Sequence, residues 1–176
     1  MKKRIIIIII ILVVIAAAFL GGRELLLVSG LKNKELISAA WSIGGGMTGG
    51  HSSIEIKRDG QNAVIVTESQ EWHDSDLIRV TYTVSADVLD GLKQLIIAAK
   101  VPVLEKRGMS DMIAYDADTY HFRCTFEGNH YYSVSEYQKK TSDEARKLLA
   151  VRDYLYSITK GEGITEIIPE NNPDNE

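Results

Sequence analysis

Cysteine is almost absent: Cys124 is the only one in 176 residues. One thiol cannot close an internal disulfide, so whatever this chain folds into is held by its core alone. A lipoprotein signal is excluded as well, because that signal needs a cysteine at its cleavage point and Cys124 lies far downstream. Basic excess is also missing. Residues 1–30 carry Lys2, Lys3, Arg4 and Arg23 against Glu24, which leaves 16 basic and 23 acidic residues beyond them, a net charge of −7. Nucleic acid and anionic lipid call for clustered Lys and Arg, so an acidic domain of this kind is a poor partner for either. Several chemical signatures are lacking too. Gly49-Gly50 is followed by His51-Ser52-Ser53 and a strand pattern, not by the Gly-Lys-Ser/Thr and helix of a phosphate loop. The chain has no Gly-x-Ser-x-Gly elbow, no His-Glu-x-x-His and no Asp-x-Asp-x-Asn-Gly calcium loop.

What the chain does have is a cationic head, Met1-Lys2-Lys3-Arg4, followed by an apolar run from Ile5 to Gly22. Eighteen residues make a helix of about 27 Å against a hydrocarbon core of about 30 Å, just enough to span. Lys2, Lys3 and Arg4 are expected to stay inside, which leaves the remainder outside. The run continues past Ala16-Ala17-Ala18 through Phe19 and Leu20, which favours a retained single-pass anchor. The alternative is a cleaved signal peptide, with those alanines as its cleavage site or Val28-Ser29-Gly30 as a second, weaker one, and a secreted product. Residues 1–22 are thus an anchor or signal, 23–37 a connector, 38–168 one extracytoplasmic domain and 169–176 a polar tail expected to be disordered.

The domain alternates with period two and then turns helical. Ile54 and Ile56 alternate with Ser53, Glu55 and Lys57, and Asp59-Gly60 suits a tight hairpin turn before Ala63 to Thr67. Ile78, Val80, Tyr82 and Val84 share one strand face, with Arg79, Thr81 and Thr83 on the other. Ser85 is placed to cap a helix whose stripe is Val88, Leu92, Leu95, Ile96 and Ala99, with Pro102 at its end. A second hairpin puts Tyr120, Phe122, Cys124 and Phe126 on one face, turns at Glu127-Gly128-Asn129 and returns from His130 to Ser135. A capping box, Thr141-x-x-Glu144, opens a last helix with the stripe Ala145, Leu148, Val151, Leu155 and Ile158, closed by Gly161. Ile164, Ile167 and Ile168 are expected to pin a short strand to the core. The predicted fold class is α+β: an antiparallel sheet with two helices on one face, preceded by the transmembrane or signal helix.

Candidate functional residues are few. The glycines from Gly44 to Gly50 read as a hairpin or bulge between a strand near 36–43 and the strand at Ile54. His51 and Ser52 are neighbours on an extended chain and point to opposite faces, which argues against a nucleophile–base pair. Glu71, His73, Asp74 and Asp76 form one acidic cluster with an imidazole, and Asp111, Asp116, Asp118 and His121 form another. Both read as solvated loops, with Trp72 as a partly buried anchor, or as calcium or zinc ligands if they converge. Cys124 reads as a buried small hydrophobe. Tyr115, Tyr120, Tyr131, Tyr132 and Tyr137 are dense enough for a contact face, though alternation sends some to the core.

The stretch Gly44-Gly45-Gly46-Met47, the strand Ile54-Glu55-Ile56-Lys57 with its Asp59-Gly60 turn, and Asp116-Ala117 ahead of Tyr120 together resemble small exported or membrane-anchored proteins of Gram-positive bacteria, uncharacterised ones that bring no activity with them. The resemblance spans roughly residues 36–158 and implies export and one α+β domain. The leading expectation is therefore a non-catalytic binding domain, tethered through residues 5–22, with a protein or cell-wall partner and no cofactor, bound metal or nucleic acid. The alternative is a cell-surface hydrolase or metal-dependent enzyme using His51, His73, Asp74 or His121.

Overall fold

The computed structural model describes residues 28–44, 50–72, 75–106, 119–137, 143–159 and 163–168, together with Gly22 and Leu26. The predicted anchor through Leu20, the loop residues His73, Asp74, Asp111, Asp116 and Asp118, the capping residue Thr141, Gly161 and the tail lie outside them. Among the described residues no helix is long and apolar enough to cross a membrane.

Seven strands form one sheet: β1 (Leu36–Gly44), β2 (His51–Asp59), β3 (Asn62–Gln70), β4 (Leu77–Ser85), β5 (Thr119–Phe126), β6 (His130–Tyr137) and β7 (Ile164–Ile168). Their order is β6-β5-β1-β2-β3-β4-β7, and every neighbouring pair is antiparallel. The helices are α1 (Val88–Ala98), α2 (Val101–Lys106) and α3 (Asp143–Ser157). This is the expected α+β class: an antiparallel sheet with few helices. The first four strands make a meander. The chain then passes through α1 and α2 to lay β5 on the far edge of β1, and α3 carries it back to lay β7 on β4.

One face of the sheet is apolar by alternation and the helices cover it. Ala39 and Trp41 of β1, Ile54 and Ile56 of β2, Ala63 and Ile65 of β3, and Tyr120, Phe122, Cys124 and Phe126 of β5 are all buried there. Trp41 sits at the centre, opposite Ile54 on one side and Phe122 on the other, and its ring stacks on Tyr120 at 4.8 Å. A register shift between Leu36 and Ser38 turns Leu36, three residues before Ala39, into the core as well. From above come Leu89, Leu92 and Ile96 of α1, and Leu148, Val151 and Leu155 of α3, each fully buried. Burying a side chain of this size contributes about 1.5–3 kcal/mol, so these six alone anchor both helices to the sheet. Just ahead of β1, residues 28–32 are helical and Leu31 is buried, so part of the predicted connector belongs to the core.

The hairpin turns fall where the residues predicted. Asp59 pairs with Asn62 across a two-residue turn in which Gly60 has φ +60°. Gly128 and Asn129, at φ +78° and +60°, turn β5 into β6, the conformation that glycine and asparagine best tolerate. Gly44 pairs with His51, so the glycine-rich stretch does join two hairpin strands.

Four expectations need correction. Ser85 is not the N-cap of α1. That position is Asp87, and the Ser85 hydroxyl instead accepts from the Asp87 amide at 3.3 Å and donates to its carboxylate at 3.0 Å. Pro102 does not end α1. Lys100 does so by adopting φ +53°, and Pro102 lies in the first turn of α2, where its missing N–H costs nothing. Trp72 is 52% exposed and does not anchor its loop, which is closed instead by Ser75, whose Oγ accepts from the amides of Glu71 and Trp72 and donates to the Trp72 carbonyl. The segment from Ile164 is a strand, but Ile164 and Ile167 are 78% and 63% exposed. β7 is an edge strand whose alternation puts Ile164 on the face away from the helices, in register with Thr81, and Ile167 on the helix face at the outer edge of the sheet, opposite the exposed Ile78. Gly163 allows its approach, since a Cβ there would come within 2.7 Å of the Tyr82 ring.

Candidate functional site

Among the described residues no helix covers the second face of the sheet, and registration makes that face unusual. Successive pairings align Ser135, His121, Ser42, Ser53, Glu68, Arg79 and Glu166 as opposite neighbours, one from each of the seven strands. Every residue of that row is polar. The next row reads Ser133, Arg123, Ala40, Glu55, Val66, Thr81 and Ile164.

The small residues of β1 create a depression. With Ala40 and Ser42 as its floor, a groove of about 520 Å3 opens, lined by His51, Ser53, Glu55 and Glu68 of β2 and β3 and by His121, Arg123, Tyr131 and Ser133 of β5 and β6. A shallower region of about 370 Å3 continues it past Val66 to Arg79. Because Ala40 projects so little, Arg123 of β5 reaches across the whole of β1 to Glu55 of β2, with Nη2 to Oε2 at 2.9 Å. Arg79 is held by Glu68 at 2.8 Å and by Glu166 at 3.4 Å. The hydrogen bond that Arg79 donates to the Glu68 carboxylate raises the guanidinium's affinity for its proton, so that cation is permanent. His121 shares a hydrogen bond through Nδ1 with the Ser135 hydroxyl across the strand pair.

The residues singled out from sequence are only partly brought together. His51 and His121 line the same groove, on strands separated by β1, so their backbones stand about 10 Å apart in the direction across the strands. Ser52 points the other way and shares a hydrogen bond with Tyr156 of α3 at 3.3 Å, so it is no partner for His51. Glu71 and Asp76 are exposed in their loop. That loop abuts the groove's His51 end, since a Cβ on Gly50 would strike the Glu71 carbonyl oxygen at 2.7 Å. Among the described residues no three His, Cys, Asp or Glu side chains are placed to share a metal ion. Cys124 is buried in the core. Of the tyrosines, Tyr120 and Tyr132 pack inside, Tyr132 edge-on to Phe126 at 6.2 Å, while Tyr131 is 55% exposed at the groove rim.

Arg123, Glu68 and Ser42 carry the groove and were not picked out by any motif. Alternation alone put them on a solvated face. Only the pairing of β5 with β1, across a long connection, sets Arg123 beside Glu55. No known protein family matches this chain, and no curated protein matches it either.

Proposed function

We propose that the chain is a membrane-tethered extracytoplasmic domain that binds a partner, without catalysis, through the open face of its sheet. Residues 5–22 are the tether and Lys2, Lys3 and Arg4 hold the cytoplasmic side. The observation that carries the reading is the groove over Ala40 and Ser42, sunk into a row of polar side chains that crosses all seven strands. Binding is favoured over chemistry by the backbone beneath it. The N–H and C=O groups of β1, β2 and β5 are engaged in ladders on both sides, so this floor offers no free amides to stabilise a developing oxyanion.

The test is sedimentation of the full-length protein, kept in detergent, with isolated cell envelope. Ser42→Trp fills the groove floor from an open position, and its fold is checked by circular dichroism. The wild type is expected in the pellet and Ser42→Trp in the supernatant. A wild type that stays soluble, or a variant that pellets equally, overturns the proposal.

A second reading, a surface hydrolase or metal-dependent enzyme using His51, His73, Asp74 or His121, is favoured by one observation: His51 and His121 line a common groove. It requires a shift in melting temperature on adding zinc or calcium, reversed by a chelator. A melting temperature indifferent to both ions removes its metal-dependent form.

A further inference from the structure

We infer that the groove takes a neutral, polyhydroxylated polymer, a glycan strand lying across the β-strands; this rests on the open face being the binding face.

Charge comes first. The carboxylates in and beside the groove, Glu55 and Glu68, are each matched by a guanidinium, Arg123 and Arg79. An anionic ligand would have to compete with a carboxylate already in place, and a cationic one with a guanidinium. A neutral ligand competes with neither. A guanidinium has five N–H donors and a carboxylate about four acceptor sites, so each ion pair leaves donors and acceptors facing the groove side by side. Hydroxyl groups, which both donate and accept, are the chemistry that uses such an alternation. The hydroxyls of Ser42 and Ser53 on the floor add to it.

Backbone availability argues against a peptide. Extended peptides are recognised chiefly by main-chain bonds to a free strand edge. The floor here is interior strand, β1 and β2 with neighbours on both sides, so only side chains are on offer.

Shape then points to a polymer. The groove runs from Tyr131 and Ser133 on β6 to Glu68 on β3, four strand spacings or about 19 Å. Among the described residues it is only partly enclosed, whereas a site for a small molecule encloses most of its ligand. Tyr131, 55% exposed at one end, offers an apolar ring face with a polar tip, the surface on which the C–H face of a pyranose packs.

The experiment extends the sedimentation assay. Envelope is digested exhaustively with protease and extracted with organic solvent, so that glycan remains, and the full-length protein is added in a non-glycosidic detergent. Wild type is expected to pellet with this residue as it does with untreated envelope, and to do so equally from about 0.05 to about 0.5 M NaCl, since a neutral ligand has no counterions to release. Tyr131→Ala should pellet about fivefold less, the scale of one lost aromatic contact, and Ser42→Trp not at all. Loss of pelleting after protease or solvent treatment overturns the glycan and assigns a protein or lipid partner. Loss with salt overturns neutrality and assigns an anionic polymer. Unchanged pelleting of Ser42→Trp with the stripped residue moves the glycan site elsewhere. The first two leave the open-face binding protein with a different ligand, whereas the third, like failure to pellet with untreated envelope, removes the open-face reading itself.

Discussion

Arg123 and Glu55 pair at 2.9 Å although a whole strand lies between them, because the residue they bridge is Ala40. Adjacent strands are about 4.8 Å apart, so the two backbones are separated by about 10 Å and a side chain longer than alanine would stand in the way. The arch stands over the groove floor at Ala40 and fixes the spacing of donors and acceptors there.

Ala40→Leu should break this arch. Both partners are half exposed, 58% and 46%, so the expected change in stability is small, about 0–1 kcal/mol. A double-mutant cycle of Arg123→Ala and Glu55→Ala measures it. The coupling is expected at about 0.2–1 kcal/mol in the parent, reduced by salt, and absent in the Ala40→Leu background. Equal coupling in both backgrounds would mean the pair does not depend on the small floor residue.

The contact between α1 and α3 depends on a glycine in mid-helix. The Tyr154 hydroxyl of α3 donates to the Val88 carbonyl of α1 at 3.0 Å, and a Cβ on Gly91 would press into that hydroxyl and lie 3.0 Å from the ring carbon Cζ. Gly91→Ala normally helps an exposed helix by about 1 kcal/mol. Here it is expected to destabilise by about 1–3 kcal/mol, as overpacking does. In a Tyr154→Phe background, where the hydroxyl is gone, that penalty should shrink by more than half. Urea denaturation of the four proteins reads the difference directly.

Alkaline pH provides a separate handle on the same contact. Burial raises the ionisation of Tyr154 above the usual value of 10.0. Between the ordinary pKa and the raised one, the unfolded chain has released this proton and the folded chain has not. The unfolded state therefore binds fewer protons, and stability falls as pH rises through that window. Below pH 10 the contribution is intact. Stability measured at pH 9 and above pH 10 should drop in the parent and drop less in Tyr154→Phe; equal slopes would remove Tyr154 as the source.

The proposed tether has its own direct measurement. Intact mass of the native protein from separated membrane and medium fractions is expected to give the full-length chain in the membrane. A chain beginning near Phe19 or Leu31, found in the medium, would instead mean a cleaved signal and a secreted domain.

Much of this molecule is local and therefore legible from residues alone. The alternation of Ile78, Val80, Tyr82 and Val84 reports a strand with one wet face because side chains of an extended chain must alternate. Gly60, Gly128 and Asn129 mark turns because only such residues accept positive φ cheaply. Leu148, Val151 and Leu155 mark a buried helix face for the same kind of reason, the 3.6-residue period. Leu89 shows the limit: the stripe Val88, Leu92, Leu95, Ile96 and Ala99 omits it, yet the helix is turned so that Leu89 is buried and Val88 and Leu95 are only partly covered. Likewise Ile164 and Ile167 of β7 read as core, yet both are exposed: Ile164 lies on the open face and Ile167 on the helix face at the sheet's outer edge. The groove belongs wholly to this second class. Ala40, Glu55 and Arg123 are unremarkable in sequence, spread over three strands, and meet only because β5 returns to the edge of β1. That choice is made by burying Trp41 between Ile54 and Phe122 on the other face, a non-local packing energy that no window of sequence contains.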